Sequence, residues 1–243
     1  MFGVPLGPFH LTGRIDQGGM GQVWHAIHGR SGVPVAVKLL RDDRVHLAGA
    51  FLDEVRAVAQ LDNPHVIAVL DYGQVSDDAA RRSDGRLQAG APWMAIEFCS
   101  GGSLGAAPPT TWAGLRDALL GLLDALSCAH ARGLLHRDVT PENVLVATAH
   151  DVRPGIKLTD FGLAPLLSRD APGGSVIGTP AYMAPEQLGE RPAPQGPATD
   201  LYQLGCVAWA LATGQPPFGS QRPAEVLALA HRELDPPPFW PQL

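Results

Sequence analysis

A glycine-rich turn and a lysine at the end of an apolar strand are the first residues whose types and spacing could do chemistry. The turn is Ile15-Asp16-Gln17-Gly18-Gly19-Met20-Gly21-Gln22-Val23. Glycine lets backbone N–H groups approach an anion with no Cβ in the way, which a phosphate cradle needs. The same cluster also fits an ordinary hairpin, and Asp16 stands where the first glycine of a G-x-G-x-x-G pattern would be. Lys38 closes the strand Val35-Ala36-Val37-Lys38, fifteen residues after Val23 and sixteen before Glu54. It reads either as a solvated strand end or as a buried cation, held by a helix carboxylate and aimed at phosphates. Lys38 and Lys157 are the only lysines, since the basic residues are otherwise arginine, so each retained lysine asks for a reason.

The elements that must position these residues follow from periodicity. Residues 9 to about 98 read as short strands with one helix. Val33 to Lys38 is a strand. Phe51 to Leu61 carries apolar residues at Phe51, Val55, Val58 and Leu61, which is helical spacing, and Asn63-Pro64 ends it. Val66 to Tyr72 and Pro92 to Phe98 read as two more strands, with the polar stretch Val75 to Gly90 between them as an exposed hairpin loop. After Ser100-Gly101-Gly102-Ser103 the character changes. Leu115 to Gly133 is an amphipathic helix with Leu119, Leu122, Leu123 and Leu126 on its stripe. Short strands follow at Val144 to Val146 and Ile156 to Leu158. Then come a Gly/Pro-rich loop over 162–197 and apolar helices from Asp200 to Thr213 and from Pro223 to Arg232.

Composition bounds the class. The 243 residues are enough for two lobes, and 45% apolar with 17% charged residues is ordinary globular usage. A net charge of −6 argues against a general affinity for nucleic acid or an anionic membrane. Cys99, Cys128 and Cys206 form no C-x-x-C pair, so they read as free thiols in a reducing, cytoplasmic compartment. No signal-type leader is evident, and no run reaches the roughly 18 apolar residues of a membrane span.

Three further stretches carry the argument: His136-Arg137-Asp138-Val139-Thr140-Pro141-Glu142-Asn143, then Asp160-Phe161-Gly162, then Gly178-Thr179-Pro180-Ala181-Tyr182-Met183-Ala184-Pro185-Glu186. With the glycine-rich turn, the V-A-V-K strand and the helix glutamate, they occur in the order of the eukaryotic-type protein kinase superfamily, which the chain resembles over residues 9–243. Thr179-Pro180-Ala181-Tyr182 resembles the Ser/Thr class, and Gly18-Gly19-Met20-Gly21 with the HRDVTPENVL wording resembles its bacterial branch.

That resemblance implies an α+β, two-lobed fold: a β-rich N-lobe over 9–98, a hinge over 97–102, and a mainly helical C-lobe over 103–243 that stops short of the family's last helices. It implies an ATP- and Mg2+-dependent protein serine/threonine kinase acting on a protein hydroxyl. Lys38 would contact the α- and β-phosphates and pair with Glu54, Asn143 and Asp160 would hold Mg2+, and Asp138 would orient the substrate hydroxyl and accept its proton. Ile15, Val23 and Ala36 would cover the adenine from above and Leu145 from below, Gly18, Gly19 and Gly21 would span the phosphates, and backbone groups of Glu97 and Cys99 would read the base edge. Ile96 would close the back of the pocket, Val58, Leu70, His136 and Phe161 would stack in a spine, and Asp200 would hold the catalytic loop.

Two departures touch this chemistry: Asp16 for the first loop glycine, and Thr140 for the usual lysine of H-R-D-x-K-P. With the short C-terminus they favour a second function class, a pseudokinase acting as a binding module. The presence of Lys38, Glu54, Asp138, Asn143 and Asp160 favours the enzyme. A small-molecule phosphotransferase of the same fold would lack the Gly178–Glu186 signature. A short C-lobe predicts an apolar face at Leu204, Val207, Ala208 and Leu211 without cover, and a Glu186 carboxylate without its family partner. The residues 160–186 also predict regulation by phosphorylation, because Ser168 and Ser175 lie in the middle of that segment and Arg137 can receive a phosphate. Mass spectrometry of active protein is expected to find phosphate on Ser168 or Ser175; full activity with both unmodified would rule this mechanism out.

Overall fold

The structure is a computed structural model and describes residues 3–17, 21–40, 46–161, 180–188 and 194–219. Gly18, Gly19, Ser168, Ser175, Thr179 and the helix expected over 223–232 lie outside the described residues. The chain divides into two compact units, Met1–Asp62 with Ile67–Phe98 and Asn63–Val66 with Cys99–Leu243. The first is β-rich and the second mainly helical, as the α+β expectation has it.

In the first unit, β1 (Val4–Leu6), β2 (Phe9–Gln17), β3 (Gly21–His28), β4 (Pro34–Leu40), β5 (Val69–Gln74) and β6 (Pro92–Glu97) form one antiparallel sheet in the order β1-β2-β3-β4-β6-β5. β2 alternates in its first half, with Phe9 and Leu11 buried and His10 exposed. β4 is buried from Val35 to Leu40, the pattern of a strand flanked on both sides. Gly21 starts β3 where a Cβ would lie 1.9 Å from the carbonyl oxygen of Leu39, so strand pairing alone demands glycine there. Helix α1 (Ala48–Ala59) buries Ala48, Phe51, Val55 and Val58, the spacing of one helical face.

Three expectations are corrected here. The sheet begins before residue 9, with β1 pairing Val4 to Leu11 and Leu6 to Phe9. The segment after β5 is not an exposed loop: it forms α2 (Asp77–Arg82), and Val75, Ala79 and Leu87 join Val4, Leu6, Phe9 and Trp93 in one apolar cluster. Ser76 caps α2 by accepting the Ala79 N–H, and the buried Ser83 hydroxyl accepts the Leu87 N–H at 3.0 Å, which satisfies the backbone around the turn. Leu70 is 51% exposed and takes no part in a buried spine.

The second unit holds α3 (Trp112–His130), the antiparallel pair β7 (Val144–Ala147) and β8 (Gly155–Leu158), α4 (Pro197–Thr213), and 3-10 turns at Pro141–Asn143, Pro180–Tyr182 and Pro185–Gln187. Thr111 caps α3 by accepting the Gly114 N–H. Its buried stripe runs through Leu115, Ala118, Leu122, Ala125, Leu126 and Ala129, while Leu123 is 42% exposed, so the predicted stripe was rotated by part of a turn. Pro197 opens α4, and Gly214, at φ 80°, closes it.

Asn63–Val66 belongs to this unit although both of its flanks belong to the first. Asn63 Nδ2 donates to Asp124 at 2.7 Å, Arg153 donates to Asn63 O, Leu158 N donates to His65 O, and the fully buried Lys157 donates to Pro64 O. That contact accounts for the second lysine, a buried ammonium at a backbone carbonyl. A Cβ on Gly121 would lie 2.9 Å from the His65 ring and from Ile156, so α3 needs glycine there to let this segment and β8 lie against it.

Of the face expected to lack cover on α4, Leu204, Val207 and Leu211 are buried, and Ala208 is half-buried. Nor does Glu186 lack a partner, since the fully buried Thr199 hydroxyl donates to its Oε1 at 2.6 Å. No described helix is long and apolar enough to cross a membrane. Leu87→Ala is expected to lower stability by about 2–5 kcal/mol, through lost transfer energy and the cavity left behind. Urea denaturation checks this, and an unchanged midpoint would show that residues 75–91 are not part of the core.

Candidate active site

In the first unit, the sheet gathers Val23, Ala36 and Lys38 on one face. Val23 pairs with Lys38 across β3 and β4, and Ala36 lies two residues before Lys38 on the same strand. Lys38 is only 8% exposed, which removes the solvated-strand-end reading of its ammonium group. Glu54 is half-buried on α1. Ile15 sits at a β-bulge between Arg14 and Asp16 and is 52% exposed. Ile96 is buried between Ala36 and Val69 on the neighbouring strands. The buried Glu97 donates its N–H to Ala68 O and accepts the Ala68 N–H on Oε1 at 2.8 Å, fixing the end of β6.

In the second unit, the residues around Asp138 are held on every side. Asn143 Nδ2 donates to Asp138 Oδ2 at 2.9 Å and to Asp138 O at 2.8 Å. Since the nitrogen of that amide faces Asp138, its oxygen is the atom left to act as a metal ligand. Thr159 N donates to Asn143 O at 2.9 Å, which draws the residue preceding Asp160 against Asn143. His136 is fully buried: its Nδ1 accepts the Asp138 N–H at 3.2 Å and its Nε2 donates to Thr159 O at 2.7 Å, which fixes the ring tautomer. The ring meets Phe161 edge-on with centroids 4.6 Å apart. Leu145 follows on β7 opposite Lys157, with Ser103 bridged to it on the other side. Cys99 is a partly buried free thiol.

Arg137 and Asp160 have φ of 65° and 67°. Non-glycine residues in this region cost on the order of 1–3 kcal/mol each and persist only where surroundings over-determine them. The determinant at Arg137 is Asp200. Its fully buried carboxylate accepts the Arg137 N–H at 2.7 Å on Oδ1, and the His136 N–H at 2.9 Å and His130 Nε2 at 2.7 Å on Oδ2. Gln203, one helical turn further along α4, accepts the Val139 N–H and donates to Arg137 O.

Thr140 is buried, and its hydroxyl accepts the Asn143 N–H, capping the Pro141–Asn143 turn. Burial, then the nearby Glu142 carboxylate, push the Tyr182 phenol up to about 12, and burial pushes the Cys206 thiol up to about 12, so both stay protonated and unreactive at neutral pH. A cavity of about 380 Å3 opens beside Pro141, Glu142 and Tyr182.

Sequence reasoning passed over His130, Gln187, Gln203 and Asp151. The first three gave no signal beyond lying near recognised motifs. Asp151 ties the start of the second unit to the β7–β8 turn, accepting hydrogen bonds from the backbone and hydroxyl of both Ser100 and Thr148. Burial opposes its charge, but these four donors prevail and hold its carboxyl below the usual carboxylate range. Because the folded value lies below the unfolded one, the stability it adds is present at neutral pH and lost as pH falls through the folded value.

Comparison with known proteins agrees with the motifs. Residues 9–236 match the family described as Protein kinase domain. The chain is 35% identical over 98% of its length to Serine/threonine-protein kinase Pkn1 of Myxococcus xanthus, of which it covers 33%. It is 37% identical over 99% of its length to Serine/threonine-protein kinase PknA of Mycobacterium tuberculosis, of which it covers 55%. To the Probable serine/threonine-protein kinase PkwA of Thermomonospora curvata it is 35% identical over 98%, covering 30% of that protein. The chain thus spans from under a third to just over half of these relatives. Asp200→Ala is expected to cost about 2–5 kcal/mol, because it leaves two backbone N–H groups and an imidazole donor buried without an acceptor. Denaturant unfolding measures it, and a loss under about 0.5 kcal/mol, ordinary for a surface change, would show that the loop holds its shape without this carboxylate.

Proposed function

The chain belongs to the protein kinase family, in its bacterial serine/threonine branch, and from that premise we propose that it transfers the γ-phosphate of ATP to serine or threonine hydroxyls of a protein. The observation that carries the reading is the loop in which Asp138 Oδ2 meets Asn143 Nδ2 at 2.9 Å while Asn143 O takes the N–H of Thr159, next to Asp160. Asp138 orients the substrate hydroxyl and takes its proton as the oxygen bonds to the γ-phosphorus. The bond from that phosphorus to the β–γ bridging oxygen breaks, and ADP leaves with the electron pair. Lys38 meets the α- and β-phosphates and pairs with Glu54. Its burial suits this role, since a buried ammonium is held in place by the groups it is paired with.

Asp160 and Asn143 would hold Mg2+. A carboxylate and an amide oxygen are hard donors that suit it. The described residues contain no group of three or more His, Cys, Asp or Glu that could hold a metal by themselves. Two protein ligands completed by nucleotide phosphates is the way Mg2+ is commonly bound. When bound, Mg2+ neutralises charge on the β- and γ-phosphates. By the family's pattern, Ile15, Val23, Ala36 and Leu145 would serve the adenine, backbone groups of Glu97 and Cys99 its edge, and Gly18, Gly19 and Gly21 the phosphates. The cavity beside Glu142 gives a protein substrate a place to dock on the loop that carries Asp138. Arg137 Nε is buried with no hydrogen-bond partner among the described residues, which supports its use as a phosphate receptor. The free thiols Cys99, Cys128 and Cys206 suit a cytoplasmic setting.

Lys38→Met and Asp160→Asn are each expected to lower transfer from radiolabelled ATP by about 10²-fold or more, because each removes oriented charge at the reacting phosphate. The assay is run beside Asp138→Asn. Near-normal kcat in either variant would sink the assignment, and a wild-type chain that binds ATP without turnover would make it a binding module.

A further inference from the structure

We propose that Gln203 is a positioning residue for phosphoryl transfer: its side-chain amide sets the backbone on both sides of Asp138 and so fixes where that carboxylate faces the substrate hydroxyl. The inference rests on the role given to Asp138 above and adds to it a residue to which the sequence analysis gave no role.

Gln203 is 1% exposed on α4, so its amide has no recourse to water. Its Oε1 accepts the Val139 N–H at 2.9 Å. Its Nε2 donates to Arg137 O at 3.0 Å and to Gln187 Oε1 at 2.9 Å. The carbonyl of Arg137 begins the peptide group entering Asp138, and the N–H of Val139 ends the one leaving it. A single planar amide therefore spans the two peptide groups that flank the proposed base. Gln187 completes the set: its Nε2 donates to Arg137 O at 2.8 Å, and its Oε1 accepts the Ala184 N–H at 2.9 Å as well as Gln203 Nε2.

Only an amide fits this place. It must accept from one peptide and donate to the next, and a carboxylate would set an oxygen against the carbonyl of Arg137. An apolar residue of the same size would leave the buried Val139 N–H unpaired. The consequence falls on geometry because Arg137 sits at φ 65°. Asp200 holds the N–H side of that residue, while Gln203 and Gln187 hold its carbonyl side. Without the second pair of donors, the strained residue can relax and swing the Asp138 side chain. Misplacing a catalytic group by about 1 Å can cost about 10²-fold in rate.

The test is steady-state kinetics of the purified chain with ATP and a protein substrate, on wild type, Gln203→Met, Gln187→Met and the double variant. Val207→Ala serves as a control, since Val207 is equally buried on α4 and its apolar side chain can hold no backbone group by a hydrogen bond. Gln203→Met is expected to lower kcat about 10- to 100-fold with ATP KM changed less than about threefold. The double variant is expected to lose less than the product of the two single losses, because both amides hold one carbonyl. Val207→Ala should lower the melting temperature while kcat, measured well below melting, stays at the wild-type value. If Gln203→Met does not fold, the partly exposed Gln187→Met is read by the same criteria. Wild type without transfer overturns the proposed function and this inference with it. Wild type active, with the Met variants at wild-type kcat or with ATP KM rising in step with the loss, overturns the positioning role alone.

Discussion

The buried carboxylate of Asp200 is the constraint on which the second unit depends. A fully buried carboxylate is costly unless donors surround it, and the backbone it meets is costly unless something holds it, because Arg137 is left-handed without being glycine. Each settles the other's cost: two consecutive backbone N–H groups and the His130 ring converge on one side chain. The unusual turn that results sends the Arg137 carbonyl toward α4 and leaves Asp138 Oδ2 against Asn143. Helix α4 thus works as a rod from which the loop carrying Asp138 is suspended, with its first turn supplying Asp200 and its second supplying Gln203. That explains why so apolar a helix keeps Asp200 and Gln203 buried one turn apart.

The first unit solves a different problem, which is to bury a lysine. Lys38 lies within an apolar stretch of β4, which continues through Leu39 and Leu40, with Val23 opposite on β3 and Met94 on β6. The sheet is stiffened behind it by an apolar cluster that reaches from β1 to the α2 segment. An ammonium group in such a setting has little freedom to choose its neighbours, which suits the phosphate contact proposed for it. Lys157, the other lysine, shows the structural use of the same residue type. It satisfies the Pro64 carbonyl and helps seat Asn63–Val66 in the second unit.

The residues of the proposed site could be named from the chain alone because the kinase motifs set particular functional groups in a fixed order along the backbone. The elements beneath them were less legible. Residues 75–90 carry several charges, so their polarity outweighed the four-residue spacing of Val75, Ala79, Ser83 and Leu87, which puts these four on the inner face. Leu70 and Leu123 belong to apolar stretches yet face outward, because only the neighbours brought by folding decide which side of an element is buried. Glu186 read as a carboxylate in want of an arginine, whereas the hydroxyl of Thr199 meets it from the start of α4.

The sequence by itself determined the family and the α+β class, and it alone puts Lys38, Glu54, Asp138, Asn143 and Asp160 forward for the proposed chemistry, because each rests on a residue type at a spacing that can be read along the chain. Only the tertiary structure decided that Gln203 and Gln187 share the carbonyl of Arg137, that Thr140 caps the turn carrying Asn143, and that Asp151 ties Ser100 to Thr148. These are hydrogen bonds to backbone groups, many from residues distant in the chain. A peptide N–H or C=O is the same at every position and leaves no mark in the sequence. Its partner is whichever side chain the packing of helices and strands delivers to it.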